Sequence, residues 1–268
     1  MRLQKWLSVC ALVGFSVFCS PADAQIVNVL SKVTKQSEDG LSGNLAVSFT
    51  EKQGNTELRQ YSGSTLAHYK SGDHVVSWIG TGSFLRKGAA DSEPIKKMFS
   101  HLRYRHFLED WMSAEVFGQW EFDEARSLKS RLLLGVGPRF PFSITDDFSA
   151  AVGVALMLER EIEKDRDLNF DDGGQYVLRS SNYLELAFNR EGTIGFQVTM
   201  FYQPLVYANE TKRATLEDHR ILLEPSLSLK ATSQLGLKLA YRYAFNSSPF
   251  DGVETTDTAL TTSLTFSF

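Results

Sequence analysis

Ala259-Leu-Thr-Thr-Ser-Leu-Thr-Phe-Ser-Phe268 alternates without a break: Leu260, Thr262, Leu264, Phe266 and Phe268 share one face, Ala259, Thr261, Ser263, Thr265 and Ser267 the other. A period of two is the signature of a half-buried strand. The same rule runs back through the chain. Leu235, Leu237, Leu239, Tyr241, Tyr243 and Phe245 oppose Lys238 and Arg242. Ile194, Phe196, Val198, Met200 and Tyr202 oppose Gln197, Thr199 and Gln203. Met112, Ala114, Val116, Trp120 and Phe122 oppose Ser113, Glu115, Gln119 and Glu121. Twelve strands follow, at 41–53, 56–70, 74–87, 95–107, 111–123, 127–142, 148–161, 175–189, 193–207, 218–232, 235–246 and 255–268. The face of the third is open, because Val75, Ile79 and Leu85 compete with Val76, Trp78 and Phe84.

Upstream of the strands the chain reads differently. Arg2 and Lys5 precede a 13-residue apolar run, Trp6 to Phe18, and Ala22-Asp23-Ala24 supplies small residues for a signal peptidase. That three-part pattern is expected of a secretory signal peptide over residues 1–24. Thirteen residues at about 1.5 Å each cannot cross a hydrocarbon core of about 30 Å, which argues against a membrane anchor. Both cysteines, Cys10 and Cys19, fall inside this segment, so the expected mature chain has no disulfide, thiolate nucleophile or cysteine-ligated metal. Without Arg2, Lys5 and Asp23 the charge falls from −4 to −5. No basic surplus points to nucleic acid. No later run is apolar enough for a membrane helix, yet a closed barrel crosses lipid with alternating residues and an ordinary mean hydropathy.

Loop lengths and aromatics support a barrel over a soluble sandwich, the alternative at the level of the fold. Links after even-numbered strands are short and those after odd-numbered strands mostly long, as in an up-and-down barrel with both termini in the periplasm. With that topology Trp120, Phe122, Tyr202, Tyr241, Tyr243 and Phe245 mark one rim, and Phe140, Phe142, Phe266 and Phe268 the other. Aromatic girdles favour the two membrane interfaces. Pro138, Pro204 and Pro225 stand against the pattern, since each removes a ladder donor within an assigned strand. The expected organisation is thus a signal peptide at 1–24, a periplasmic N-terminal segment at 25–40 that is either a tail or a short lumen plug, and an all-β, twelve-stranded antiparallel transmembrane barrel at 41–268.

The closing Leu264, Phe266 and Phe268 resemble the terminal signal by which outer-membrane proteins are recognised by the barrel-assembly machinery. An unpaired edge strand with an apolar face can be held by strand addition until closure removes the edge. The body of the chain resembles the salt-induced outer-membrane protein family, a domain of unknown function. The residues are Gly40-Leu-Ser-Gly43 and Gly54-Asn55-Thr56, then His101 to Phe107, Glu115-Val-Phe117-Gly-Gln119 and Arg131 to Phe140. The likeness covers roughly residues 40–250. It implies a barrel in the cell envelope and brings no catalytic residues.

On the assigned faces the inward charges are Arg103, Arg105, Arg131, Arg139, Arg179, Lys230, Lys238 and Arg242 against Glu115, Glu121, Asp123, Glu159, Glu185 and Glu224. Eight strands leave an interior filled by side chains and about 16 an aqueous channel, so twelve admits either outcome. One reading is a passage for small polar solutes. The other is a structural or stress-related envelope protein whose lumen is closed by paired charges. Asp165-Arg-Asp-Leu-Asn-Phe-Asp171-Asp-Gly-Gly174 spaces oxygens as a calcium loop does, but Phe170 and Tyr176 stand where Gly and Glu are needed. An exposed acidic loop is expected there. The five histidines make no zinc pair, and His101 and His106 have opposite parity. A membrane-embedded lipid hydrolase would need an outward Ser–His pair, and none is legible. The expectation is a non-enzyme without cofactor or metal, in contact with outer-membrane lipid and lipopolysaccharide, its solute unidentified.

Overall fold

A computed structural model describes residues 37–52, 58–88, 93–163, 176–190, 193–208, 217–250 and 252–268. The segment 1–24 and the acidic loop 165–174 lie outside the described residues. Twelve strands form: β1 Gly40–Lys52, β2 Leu58–Ser71, β3 His74–Lys87, β4 Ile95–Glu109, β5 Met112–Asp123, β6 Leu128–Ser143, β7 Phe148–Glu163, β8 Tyr176–Arg190, β9 Ile194–Ala208, β10 His219–Lys230, β11 Leu235–Asn246 and β12 Thr256–Ser267. Each boundary falls within two residues of the alternation-based reading. Every strand pairs antiparallel with its sequence neighbours, and β12 returns to β1, closing the barrel.

Closure follows from the edge problem. A sheet with a greasy face and two free edges is a template for aggregation, and joining the ends removes it. Gly43 and Phe268 exchange backbone N–H···O bonds of 3.0 and 3.1 Å, starting the β1–β12 ladder at the last residue. A Cβ on Gly43 would overlap the Leu66 carbonyl oxygen and crowd the Phe268 ring. Only glycine lets the terminal aromatic lie there.

The alternation sorts the side chains as the sequence implies. Val47, Leu134, Leu156 and Leu237 point outward and are exposed, whereas Arg131, Arg139 and Glu159 are buried within. In β3 the doubt resolves: Val75, Ser77, Ile79 and Leu85 face in, and Val76 and Trp78 face out. Trp120, Tyr202 and Tyr241 are exposed at the end carrying the longer links, Phe142, Phe266 and Phe268 at the other. The barrel therefore has a turn end, where β2–β3 and β4–β5 are joined by two residues each, and a loop end.

The prolines are absorbed by the ladders. Between Val136↔Leu156 and Arg139↔Gly153 the β6–β7 register is interrupted at Pro138. The β8–β9 ladder is interrupted opposite Pro204, between Arg179↔Leu205 and Asn182↔Tyr202. The β10–β11 ladder is interrupted at Pro225, between Leu223↔Tyr243 and Ser226↔Ala240. Each proline keeps its full ladder on one side and breaks the other, where its missing N–H would have been required.

Candidate functional site: the barrel interior

The interior divides into a filled wall, β4–β9 with the loop-end part of β10, and a hollow wall running from the rest of β10 through β12 and β1 to β3. The difference begins in side-chain size. Inward positions of β4–β9 include many Arg, Glu, Phe, Tyr and Met; those of β12 and β1 carry mostly Ser, Thr, Ala and Asn, joined by Ser62 and Ser64 of β2.

Toward the loop end, the filled wall centres on Glu159 of β7. Its carboxylate accepts from Arg131 Nε (2.9 Å), Arg179 Nε (3.1 Å) and Arg220 Nη1 (2.9 Å to each oxygen). Arg131 also reaches Glu161 at 3.3 Å and Glu121 at 3.6 Å, and Arg220 reaches Glu161 at 3.0 Å. Arg179 grips Asp218 through both terminal nitrogens, at 2.8 and 3.2 Å. Arg126, in the 3-10 turn after β5, bonds Glu121 and Asp123, and Lys97 lies 3.5 Å from Asp123. These five cations and five carboxylates neutralise one another. A buried charge without a partner costs several kcal/mol, so balance is the condition for placing ten charges here.

Toward the turn end a second cluster forms around Glu115. Arg103 Nη1 donates at 2.7 Å, Arg105 Nε at 2.8 Å and the Tyr183 hydroxyl at 3.0 Å. Arg139 bridges Tyr183 (3.2 Å) and Glu185 (3.0 Å), and Gln197 donates to Glu185 at 2.8 Å. Two rings fit beneath this layer because glycine lies opposite each. Phe117 covers Gly135, its ladder partner, and Tyr183 covers Gly153. Arg103 in turn sits 4.9 Å above the Phe117 ring, a cation–π contact. The lumen is closed along this wall by chemistry that leaves few polar groups unmet.

The hollow wall encloses two cavities. One, of about 960 Å³, opens at the turn end and is bordered by Ser42, Asn44, Lys230, Lys238, Glu224 and Phe268 among others. The second, of about 410 Å³, lies toward the loop end, against Ser48, Gln60, Ser62, Ser83, Lys97 and Asp123. Both touch Ala46, Ser64, Thr81, Arg242, Ala259, Thr261 and Ser263, so they meet at one level of the barrel. Arg242 is the charged side chain at that level.

The sequence-derived residues thus separate into two groups. Arg103, Arg105, Glu115, Arg131, Arg139, Glu159, Arg179 and Glu185 are buried in the filled wall, together with Glu121 and Asp123. Glu224, Lys230, Lys238 and Arg242 border the larger cavity. Leu264 and Phe266 face outward across the seam from Val47 and Leu45. Lys97, Glu161, Arg220 and Tyr183 belong to the interior as well; the parity of their strands carried that signal. Arg126 and Asp218 come from turns, where no period applies.

Histidines form no metal cluster among the described residues. His68 Nδ1 and Ser77 Oγ lie 2.8 Å apart, but both face inward, and the charge acting on His68 is that of Arg105. A carboxylate that would orient and charge-stabilise the imidazole is what a nucleophilic pair needs. His74 and His106 stack outside, with ring centroids 4.6 Å apart, while His101 is buried inside. Their opposite parity is real in space.

Residues 45–268 match the model of a family described as Protein of unknown function, DUF481. The chain belongs to that family. Among curated proteins none matches the sequence. Solved structures of similar course include the NanC porin (11% identity, 85% of this chain and 98% of that one, TM-score 0.45). Others are the KdgM porin (12%, 85% and 99%, 0.43) and the translocator domain of autotransporter NalP from Neisseria meningitidis (12%, 87% and 89%, 0.47). At these values the likeness is one of chain course alone.

Proposed function

We propose that this DUF481 protein is an outer-membrane barrel of a Gram-negative cell whose hollow wall forms a narrow, one-sided passage for small polar solutes. The observation that carries it is the pair of cavities meeting end to end at Ser64, Thr81, Arg242 and Thr261. Hydroxyl-lined walls replace part of a solute's hydration without holding it tightly, which suits conduction more than storage. A single arginine at the narrow level favours anionic or neutral solutes. The outward apolar band supports membrane residence, because an exterior of exposed leucine and valine is stable only against lipid. In this reading residues 1–24 direct export and 25–40 remain in the periplasm. Leu264, Phe266 and Phe268 are held by the assembly machinery until the seam forms, and the exterior meets lipid and lipopolysaccharide. The inward Arg and Glu side chains of β4–β9 brace the wall and need no part in transport.

The competing reading is a closed structural or stress-related envelope barrel, and the fully paired charges of the filled wall favour it. Among the described residues, a lipid hydrolase has only the inward His68–Ser77 pair in its support. Conductance separates the first two. Protein reconstituted in planar bilayers gives discrete steps if the hollow wall conducts, and Ser64→Trp shrinks those steps by filling the shared level. Absence of steps over many insertions overturns the passage and leaves the structural barrel.

A further inference from the structure

The β1–β12 seam is paired only in part. From Gly43 and Phe268 at the turn end the ladder runs through Leu45↔Phe266 to Val47↔Leu264 and stops. Neither strand stops there. β1 continues on β2 to Lys52↔Leu58, and β12 continues on β11 to Phe245↔Thr256. Among the described residues, two sheet edges therefore face each other over the loop-end half without a ladder between them. Bare backbone edges are costly in hydrocarbon unless they line a wet cavity. The 410 Å³ cavity does follow both edges: Val47-Ser48-Phe49 border it on one side and Leu260-Thr-Thr-Ser263 on the other.

The geometry points to a lateral portal between β1 and β12, joining the lumen to the lipid layer at the loop end, through which an acyl amphiphile with an anionic head enters sideways. The chemistry of the two sides differs in the way such a ligand does. Lumenally, the Ser48 and Ser62 hydroxyls bond each other at 2.5 Å, close to Ser64 and Ser83. The charged residues bordering this cavity are Lys97, Arg242 and Asp123; Asp123 answers Lys97, so Arg242, which Glu224 also attracts, is the cation that would meet a phosphate or carboxylate head. Outside, the Phe49 and Tyr61 rings meet at a tilt with centroids 4.9 Å apart and are both exposed, next to outward Val47. They offer the acyl chain an apolar lip while its head remains among hydroxyls. The portal opens into the loop-end cavity of the passage proposed above, but it needs the seam and not the turn-end mouth.

The test uses lysophosphatidic acid carrying a photoreactive group beside its phosphate, in phosphatidylcholine liposomes holding the reconstituted protein. After illumination, peptide mapping locates the adducts. Adducts on inward Ser62, Ser64 or Ser83 are expected. They should fall at least fivefold in a Phe49→Cys, Thr262→Cys variant oxidised to join the edges, and return on reduction. Where oxidation fails to join the pair, Phe49→Trp with Thr262→Trp obstructs the slot by bulk and should give the same loss. Adducts confined to outward Val47, Phe49 and Leu260 overturn the portal. So do lumenal adducts that persist with the edges joined, which would mean entry through a mouth. Bilayer conductance of the joined variant should remain within twofold of the parent, so a failed portal is distinguishable from a failed channel.

Discussion

The two walls of this barrel use one backbone pattern for opposite ends. In β4–β9 the inward positions are large and charged, and Glu159 alone gathers three arginines. In β12 and β1 they are mostly small, and they border open space rather than large side chains from across the lumen. A twelve-stranded barrel is too wide for small side chains to fill and too narrow to stay open against long ones. Which outcome prevails is therefore set sector by sector, by side-chain length. Rigidity and permeability can be separated within one cylinder for this reason.

Breaking the filled wall should have the largest effect. Glu159→Ala leaves Arg131, Arg179 and Arg220 facing one another around a lost carboxylate, at a cost of about 3–5 kcal/mol. Urea unfolding in detergent micelles would read this as a lower midpoint with an unchanged slope. An unaltered midpoint would show that water already screens the cluster. Next comes Gly153→Val, which drives a side chain into the space of the Tyr183 ring and pulls its hydroxyl from Glu115 and Arg139. Overpacking of this kind costs about 1–3 kcal/mol, measurable in the same assay.

The hollow wall should respond most clearly in transport. Arg242→Glu reverses the charge at the shared level, and the anion-to-cation permeability ratio should fall by roughly twofold or more. Arg103→Lys, in the filled wall, should leave that ratio where it was. If both variants shift selectivity equally, the division between walls is wrong.

The smallest effect is expected at the turn-end rim. Asp39, just ahead of β1, accepts from the Gly72 backbone N–H at 2.9–3.0 Å and from Lys70 Nζ at 2.9 Å. Gly72 holds φ at +57°, which suits the two-residue β2–β3 turn and is little strained only for glycine. The Gly72 amide bond and the Lys70 ammonium both favour the carboxylate, lowering the Asp39 pKa from its ordinary 3.8. A depressed acid stabilises the folded form above its unfolded pKa, and this contribution fades as pH falls through the lower folded value. The tether should thus hold at pH 5 and loosen below pH 3.8. Amide exchange at Gly72 in micelles would report it, and protection that persists in Asp39→Asn would rule the carboxylate out.

Much of the fold was legible before any coordinates, because a period-two pattern repeated twelve times admits few architectures. Strand bounds, loop parity and the inward set of Arg103, Arg131, Glu115 and Glu185 all followed from alternation. Pro225 looked awkward only because sequence does not show which of a strand's two ladders will break. Alternation also told that Arg242 and Arg131 both point inward, and nothing about how different their surroundings are. Arg126 and Asp218 join the loop-end network from turns, where side-chain direction has no period to reveal it.

By itself, then, the sequence determined the face of nearly every residue, since that depends on the geometry of neighbouring peptide units alone. Closure of the barrel decided the rest. Only when β12 meets β1 does each inward side chain acquire its opposite across the lumen. That distant pairing made one sector solid, left the other hollow, and let the seam run out of partners beyond Val47 and Leu264.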